Sequence, residues 1–391
     1  MSDVVKSVEA FSLTIPRDTP YLGAPRAGEE PNEKGYLVRK GNRTVYPIFD
    51  RSIVVRIETL NGVIGWGETY GLVAPGAVGA IISDLLADFT VGRDPSDPSA
   101  IYDDLYDLMR VRGYGGGFYV DALAAVDIAL WDIAGKQANV SVTQLLGGAQ
   151  HATIPAYISG LPEPTSQKRA ALAKQWQDRG FNAFKFASPV ADDGPASELH
   201  SLRDALGPDA LIAADMHWNQ TPQEAIDLIT AMAPHDLWFA EAPVRTEDIV
   251  GLSTVCKASP SPIAVGEEWR THYDMLHRVD QCEIAIVQPE MGRKGISNFM
   301  RIGAIAHERG IELIPHATIG TGIFLAASLC ASAALKATTF HEFQHSIFEP
   351  NRVLLRSDMD CKAGAYTLPS GPGLGVELTP AAMDLLKPIR C

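Results

Sequence analysis

The sequence predicts an α/β protein: a closed barrel of eight parallel strands, preceded by a separate α+β unit. Between residues 154 and 344, eight short apolar runs alternate with amphipathic stretches, which indicates parallel strands joined by helices. Eight is the number of strands that closes a parallel barrel. Ahead of this region, strand-like segments come first and helical segments follow, as in an α+β unit.

The α+β unit comprises three predicted strands and two predicted helices. The strands are predicted at residues 4–13, 52–60 and 62–70. The helices are predicted at residues 77–86 and 121–137. A segment rich in Pro, Gly, Arg and Tyr at 16–50 interrupts the unit. Because this segment does not join two domains, we expect a functional loop rather than a linker.

The barrel strands are predicted from their apolar runs. They lie at residues 154–159, 183–187, 211–216, 237–242, 262–266, 283–288, 311–315 and 340–344. Between two of them, Thr221 can cap a helix whose first position suits Pro222, and Glu224 can complete a capping box. Two further helices are predicted at 165–179 and 297–309, and a glycine follows each of them.

The chain after the barrel is predicted to return to the α+β unit. The sequence GPGLG at 371–375 indicates a rigid turn, and a strand-like piece and a helix at 380–386 follow it. The predicted parts are an N-terminal α+β capping domain, a barrel domain and a returning C-terminal segment, at residues 1–135, 136–350 and 351–391.

The composition argues against several classes of protein. The chain has 391 residues, 46% of them hydrophobic and 20% charged, which is typical of a globular protein with a sizeable core. The formal net charge of −14 argues against binding to nucleic acid or to an anionic membrane surface. We expect no targeting or membrane-spanning segment. The cysteines form no close pair, which favours reduced thiols in a cytoplasm: Cys256, Cys282, Cys330, Cys361 and Cys391.

Three consecutive predicted strands end in an acidic residue. Asp215, Glu241 and Glu267 follow one another at intervals of 26 residues. The active site of a parallel barrel lies at the carboxyl ends of its strands, so three carboxylates are expected at one height. Such a cluster needs a cation or raised pKa values, and an oxygen-only ligand set suits Mg²⁺ rather than Zn²⁺. The alternatives are that each acid only caps the next helix, and that Glu268 replaces Glu267.

The next two predicted strands supply a candidate base. One ends in Gln288-Pro289-Glu290 and the following one ends in Pro315-His316. A histidine beside a carboxylate of the adjacent strand is an oriented proton acceptor. A purely structural histidine is the alternative, but the neighbouring acids favour the base.

Three further side chains are expected at the barrel mouth. Lys185 lies between two phenylalanines, and strand alternation points it away from both rings into the mouth. His217 follows Asp215 by two residues and is expected on the same face, unless it only bonds a loop carbonyl. Glu342 ends the eighth strand and can bind Lys185 when ionised, or a bound anion when protonated.

The ligand is expected to contact residues outside the strands. Segment 16–50 contains Arg17, Tyr21 and Arg43, which suit a polyhydroxylated ligand with one or two acidic groups. Trp269, two residues after Glu267, is a further candidate for substrate binding.

Together these features resemble the enolase superfamily, mandelate racemase subgroup. The resemblance covers essentially the whole chain and includes the block ALAAVDIALWDIAGK at 122–136, the following LLGG, the three strand-end acids and the closing GPGLG. It implies a modified TIM barrel of the (β/α)7β type, capped by the α+β domain. It also implies one Mg²⁺ on Asp215, Glu241 and Glu267, and a carboxylate substrate that loses its alpha proton to give an enediolate.

The site is more similar to that of D-galactonate dehydratases than to that of racemases. Many members of the subgroup carry Lys-x-Lys on the second barrel strand, whereas Ala187 stands at the second lysine position here. The resemblance implies that His316, oriented by Glu290, removes the alpha proton, and that His217 protonates the departing hydroxyl. His316 should then be neutral and His217 cationic. Glu290 stands where aspartate is usual.

The resemblance therefore implies a Mg²⁺-dependent dehydratase of an aldonate or aldarate, which yields a 2-keto-3-deoxy acid. Lys185 and Glu342 would help the cation to stabilise the developing charge. An epimerase, a racemase or a lactone cycloisomerase would use the same enolate without losing water. A sugar-acid binding protein without activity is an alternative of another class. A symmetric homo-oligomer is expected from the resemblance.

Overall fold

The structure is a computed structural model that describes residues 3–317 and 320–389. The first unit is built on an antiparallel sheet. Its strands are β1 (Val5–Ile15), β2 (Tyr36–Val38), β3 (Val45–Pro47), β4 (Asp50–Thr59) and β5 (Ile64–Tyr70). Strand β4 pairs with both β1 and β5, while β2 and β3 form a separate hairpin. The predicted loop 16–50 therefore contains a hairpin of its own.

The helices of the first unit follow its sheet. They are α1 (Pro75–Ala80), α2 (Ala87–Thr90), α3 (Pro98–Arg110), α4 (Gly117–Ala138) and α5 (Val142–Leu145). A π-helical turn, Ile81–Leu86, joins α1 to α2. We did not predict α3 from the sequence, although Asp97 caps it and Pro98 occupies its first position.

Two glycines let β5 lie directly on α4. A Cβ atom on Gly67 would lie 1.8 Å from the Ala125 carbonyl oxygen, and one on Gly65 would lie 2.2 Å from that of Ala129. Such distances are far below van der Waals contact, so any larger side chain would push the sheet off the helix.

Eight parallel strands form the barrel, and each coincides with one of the predicted apolar runs, although the first begins at Thr153, one residue before its run. They are β6 (Thr153–Ser159), β7 (Ala183–Ala187), β8 (Leu211–Asp215), β9 (Leu237–Glu241), β10 (Ile263–Val265), β11 (Ile286–Val287), β12 (Glu312–Leu313) and β13 (His341–Phe343). Neighbours in sequence pair from β6 to β12, and β13 pairs with β6. The ring closes where the Glu342 N–H donates to the Pro315 carbonyl over 3.2 Å and a bridge joins Leu313 to Thr338.

Helices cover the outside of the barrel. They are α6 (Ser166–Asp178), α7 (Pro195–Leu206), α8 (Pro222–Met232), α9 (Ile249–Ala258), α10 (His272–Val279), α11 (Met291–Arg309) and α12 (Ile323–Ala334). Short 3-10 turns, Ser188–Val190 and Ala233–His235, precede α7 and follow α8. The predicted capping box of Thr221 and Glu224 is confirmed. The predicted helix at 297–309 corresponds to the part of α11 that follows a break at Gly295, where φ is 73°, and a first part that begins at Met291 was not predicted.

A buried carboxylate connects the two units. Glu68 of β5 accepts hydrogen bonds from the backbone N–H groups of Thr321, Ile323 and Phe324, over 2.6 to 3.3 Å. These donors include the free N–H groups of the first turn of α12, where negative charge is favoured. The capping sheet thereby caps a barrel helix.

The C-terminal part contacts both units. After α13 (His345–Asn351), a 3-10 turn (Arg352–Leu354) leads to β14 (Leu355–Arg356), β15 (Asp360–Lys362), β16 (Ala365–Thr367), β17 (Glu377–Leu378), α14 (Pro380–Leu385) and β18 (Lys387–Pro388). Strand β16 extends the barrel sheet at β6, whereas β18 pairs with β1. The predicted divisions at residues 135 and 350 stay predictions.

Two expectations about the whole chain concern helices and thiols. Among the described residues, none of the helices combines the length and apolar character needed to cross a bilayer. Cys256, Cys282, Cys330 and Cys361 are free thiols. Cys391 lies outside the described residues.

We predict that Gly67→Ala destabilises the protein by about 1–3 kcal/mol, because the added methyl group overpacks the contact between β5 and α4. The free energy of unfolding in urea measures this effect. Gly76→Ala is the control, because a Cβ atom there would meet nothing within 4 Å and the residue lies in α1. An equal effect of both substitutions would contradict the proposed close packing.

Candidate active site

Two adjoining cavities open at the carboxyl ends of the barrel strands. The first cavity has a volume of about 440 Å³ and is lined by loop residues 15–23, residues 159–163, Lys185, Glu342, Gln344 and Asn351, among others. The second cavity has a volume of about 400 Å³ and is lined by Tyr46, Phe49, Tyr70, Phe118, Trp218, Glu267 and Arg293, among others. Both cavities are lined by Tyr21, Asp50, Asp215, His217 and His316.

Lys185 and two carboxylates form a buried ion cluster beside the first cavity. The Lys185 Nζ atom lies 2.6 Å from Glu241 Oε2 and 3.1 Å from Glu342 Oε1. Burial disfavours the charged lysine, but both carboxylates raise its pKa well above the usual value. Burial also disfavours the ionised Glu342, yet His316 and Lys185 lower the pKa of this carboxyl below its usual value. Glu342 therefore pairs with Lys185 in its ionised form.

His316 and Glu290 form the dyad expected from their neighbouring strand ends. The His316 Nδ1 atom lies 2.6 Å from Glu290 Oε2, and a parallel bridge joins the two residues. The other ring nitrogen, Nε2, lies 2.9 Å from Glu267 Oε2 and faces both cavities. The extra methylene of Glu290, compared with aspartate, still allows a short contact.

His217 lies on the same face as Asp215, as predicted. Its Nε2 atom lies 2.9 Å from Asp215 Oδ2, and its backbone N–H donates to Asp215 Oδ1 over 3.0 Å. His217 and Trp218 both have φ of 53°, a left-handed conformation that is costly for residues other than glycine. Both side chains line the second cavity.

Asn42 of the loop contacts His217 from the other side. Its Nδ2 atom lies 3.1 Å from His217 Nδ1 and donates to the Tyr46 hydroxyl over 3.0 Å. Its Oδ1 atom accepts the Thr44 N–H over 3.1 Å. With the amide in this orientation, a donor faces Nδ1 and favours a neutral imidazole.

The expected charge state agrees with the pKa direction for one of the two histidines and disagrees for the other. Burial disfavours both imidazolium ions, but the surrounding carboxylates raise the pKa of His217 and raise that of His316 well above the usual value. For His316 the largest raising influence is Glu267, and for His217 it is Asp215. The expected cationic His217 agrees with this direction, whereas the expected neutral His316 does not.

Each of the three predicted metal ligands contacts a different basic side chain. Asp215 pairs with His217, Glu241 with Lys185, and Glu267 with His316. Within residues 3–317 and 320–389, no three His, Cys, Asp or Glu side chains stand as a ready metal-binding group. The predicted ligand set is therefore close to the mouth, but its side chains face protein partners.

The donor chemistry of these acids nevertheless fits a hard cation. The Glu241 Oε1 atom is buried and lacks a hydrogen-bond partner in the described chain. Burial, followed by repulsion from Asp215, Glu342 and Glu267, raises the pKa of Glu241 to about 7 despite the contact with Lys185. An unsatisfied carboxylate oxygen among like charges is the environment that a divalent cation relieves.

The predicted substrate-binding residues divide into two pairs. Arg17 and Tyr21 line the first cavity, where Arg17 also pairs with Asp50 over 2.9 Å. The prediction for Arg43 is wrong, because this residue is exposed in the turn between β2 and β3 and does not line the described part of either cavity. The prediction for Trp269 is also wrong. It is 2% exposed and packs in the barrel core rather than facing a ligand.

The sequence analysis missed several residues at the cavities, among them Asn42, Tyr46, Trp218 and Arg293. Asn42 and Tyr46 belong to the hairpin segment, where no periodic pattern marks a functional position. Trp218 directly follows His217, so its nearness to the strand end could have indicated it. Arg293 lies on a turn of α11 that we expected to be a loop.

Comparison with known families gives two matches along the chain. Residues 49–147 match the mandelate racemase / muconate lactonizing enzyme N-terminal domain. Residues 168–382, more than half of the chain, match the enolase C-terminal domain-like family.

Individual relatives cover nearly the whole chain. A D-galactarolactone cycloisomerase from Agrobacterium fabrum is 31% identical, with 86% of this chain and 91% of the relative covered. A D-galactonate dehydratase from Cronobacter sakazakii is 29% identical over the same shares. The crystal structure of an enolase superfamily member from Agrobacterium tumefaciens is 67% identical, with all of both chains covered and a TM-score of 0.97. The chain thus belongs to the enolase superfamily, in its mandelate racemase subgroup.

Proposed function

We propose that this enzyme is a Mg²⁺-dependent dehydratase of a sugar acid, an aldonate or aldarate, and that it forms a 2-keto-3-deoxy acid. The observation that carries the proposal is the pair of histidines, each bound to a carboxylate, that faces the same two cavities. Dehydration needs one group to take a proton and another to give one, and this pair supplies both.

In the proposed reaction, His316 removes the proton alpha to the substrate carboxylate. Glu290 holds Nδ1 and so directs Nε2 toward the cavities. His316 must be neutral for this step. Glu267 is the main group that raises the pKa of His316, so neutralising Glu267 with a bound cation would favour the free base.

His217 then protonates the hydroxyl that leaves the beta carbon. The carboxylates around His217 raise its pKa and so favour the imidazolium that this step requires. Asp215, Glu241 and Glu267 would hold Mg²⁺. When bound, Mg²⁺ supplies positive charge that stabilises the anion formed as the alpha proton leaves. Lys185, whose raised pKa keeps it charged, contributes a second positive charge near the same anion.

A lactone cycloisomerase is the second candidate, and the contact of Asn42 favours it. The Asn42 donor at His217 Nδ1 favours a neutral imidazole, which is a weak acid. Opening a lactone across the beta carbon–oxygen bond expels a carboxylate, and a carboxylate leaves without being protonated. The similarity to a D-galactarolactone cycloisomerase supports this candidate, and that to a D-galactonate dehydratase supports the first.

We predict that substitutions of the two histidines separate proton removal from elimination. His316→Asn should abolish exchange of the alpha proton, at least 100-fold, because a general base contributes about 10²–10⁴-fold. His217→Asn should keep exchange but lose release of the 2-keto acid from an open-chain substrate. Proton NMR in D₂O measures exchange, and a 2-keto acid assay measures elimination. Full-speed elimination by His217→Asn would contradict the acid role, and turnover of lactones alone would favour the cycloisomerase.

We predict that chelation of divalent cations abolishes turnover and that Mg²⁺ restores it. Mg²⁺ should also raise the unfolding midpoint of the resting enzyme, since a ligand at 100 times its Kd stabilises the native state by about 2.7 kcal/mol. Glu241→Gln should reduce this shift, because one charged ligand is lost. Glu224→Gln, in the exposed capping box of α8, is the control and should leave the shift unchanged. An unfolding midpoint of the wild-type protein that does not change with Mg²⁺ would contradict the metal site.

A further inference from the structure

We propose that the second cavity binds a second carboxylate of the substrate through Arg293, so that the preferred substrates are dicarboxylic sugar acids. This inference rests on the proposed function, and it selects aldarates or their lactones over aldonates. The second cavity meets the first at Asp215, His217 and His316. A substrate whose alpha carboxylate lies near Lys185 can therefore pass the histidines and enter it.

Arg293 is a cation with one hydrogen-bond donor that no described residue accepts. Its guanidinium carbon lies 4.5 Å from the centroid of the Tyr70 ring. Its Nε atom is buried and has no hydrogen-bond partner in the described chain. Burial disfavours the charge of Arg293, but Tyr70 and the carboxylates of Asp121, Glu267 and Glu290 raise the pKa of its guanidinium. A buried guanidinium N–H without an acceptor is costly, and a bound anion would satisfy it.

The other cations near Arg293 are already occupied. Arg270, which also lines the second cavity, pairs with Asp121 over 2.7 Å and donates to the Glu268 carbonyl over 2.6 Å. Lys294, the next residue along α11, donates to the backbone carbonyls of Glu267 and Trp269. Arg293 is therefore the cation of this wall that remains for a ligand.

A second donor in the same wall also lacks an acceptor. The Trp218 indole Nε1 is buried without a hydrogen-bond partner in the described chain, and Trp218 lines the second cavity beside His217. Two unsatisfied donors, one of them charged, favour a ligand group that is anionic and offers several acceptor oxygens. A carboxylate meets both requirements.

The first cavity does not offer an equivalent site. Its cation at the loop, Arg17, already pairs with Asp50 over 2.9 Å. Asp18 and Glu163 add negative charge to the same lining. The second cavity is lined by acidic residues too (Asp121, Glu267 and Glu268), so it differs from the first in its unpaired Arg293 Nε donor rather than in net charge.

The test compares matched substrates, galactarate with galactonate, on the Mg²⁺-loaded enzyme. Arg293→Gln should lower kcat/KM for the dicarboxylate by about 10- to 100-fold, the effect of losing a hydrogen bond to a charged group, and that for the monocarboxylate by less than 3-fold. Arg293→Lys should restore part of the loss. Arg301→Gln is the control, because Arg301 lies on the same helix and pairs with Asp103 at the surface. Equal losses for both substrates, or a wild-type preference for the monocarboxylate, would overturn the inference.

A binding measurement separates this inference from the proposed function. Calorimetry with Mg²⁺ and the His316→Asn enzyme reports affinity without turnover. Galactarate should bind the His316→Asn enzyme at least 10-fold more tightly than it binds the His316→Asn, Arg293→Gln double variant. Failure of every acid sugar to exchange its alpha proton with wild-type enzyme would overturn the proposed function alone. Equal affinities of the two variants would overturn the role of Arg293.

Discussion

The concentration of negative charge at one end of the barrel governs the rest of the site. Five carboxylates lie there with three basic side chains between them, and nearly all are buried: Asp215, Glu241, Glu267, Glu290, Glu342, Lys185, His217 and His316. Lys185 and His316 each lie between carboxylates of different strands, whereas His217 lies between Asp215 and the Asn42 amide. Parallel strands that end at one height make this crowding possible, and the crowding raises the pKa of Lys185 and of both histidines against the effect of burial.

The same charges explain why the two proposed reactions, dehydration and lactone cycloisomerisation, are both compatible with this site. The carboxylates favour a charged His217, whereas the Asn42 amide favours a neutral one. These opposing influences on His217 do not change the orientation of His316, because Glu290 holds His316 from the end of a separate strand. In the proposed function, proton removal is common to both candidate reactions, and the loop that carries Asn42 would decide whether an acid is available on the other side.

The fold could be predicted further than the site. Each of the eight barrel strands coincides with a predicted run to within one residue at its start, because alternating apolar and amphipathic segments reflect the buried sheet directly. Residues at strand ends, such as His316, were predictable for the same reason. Asn42 and Arg293 were not, since a hairpin in a polar loop and an early turn of α11 carry no periodic signal. Trp269 was misplaced because its sequence position does not reveal that it turns into the core.

The carboxylate of Glu68 has a consequence for how the two units behave together. It reaches from the capping sheet to three backbone donors at the start of a barrel helix. Separating the units would leave both a buried charge and a helix end without partners, so cap and barrel should unfold cooperatively rather than hinge apart. The segment between β1 and β4 therefore rests on a fixed platform, and new specificities can arise by changing its sequence while the catalytic frame stays in register.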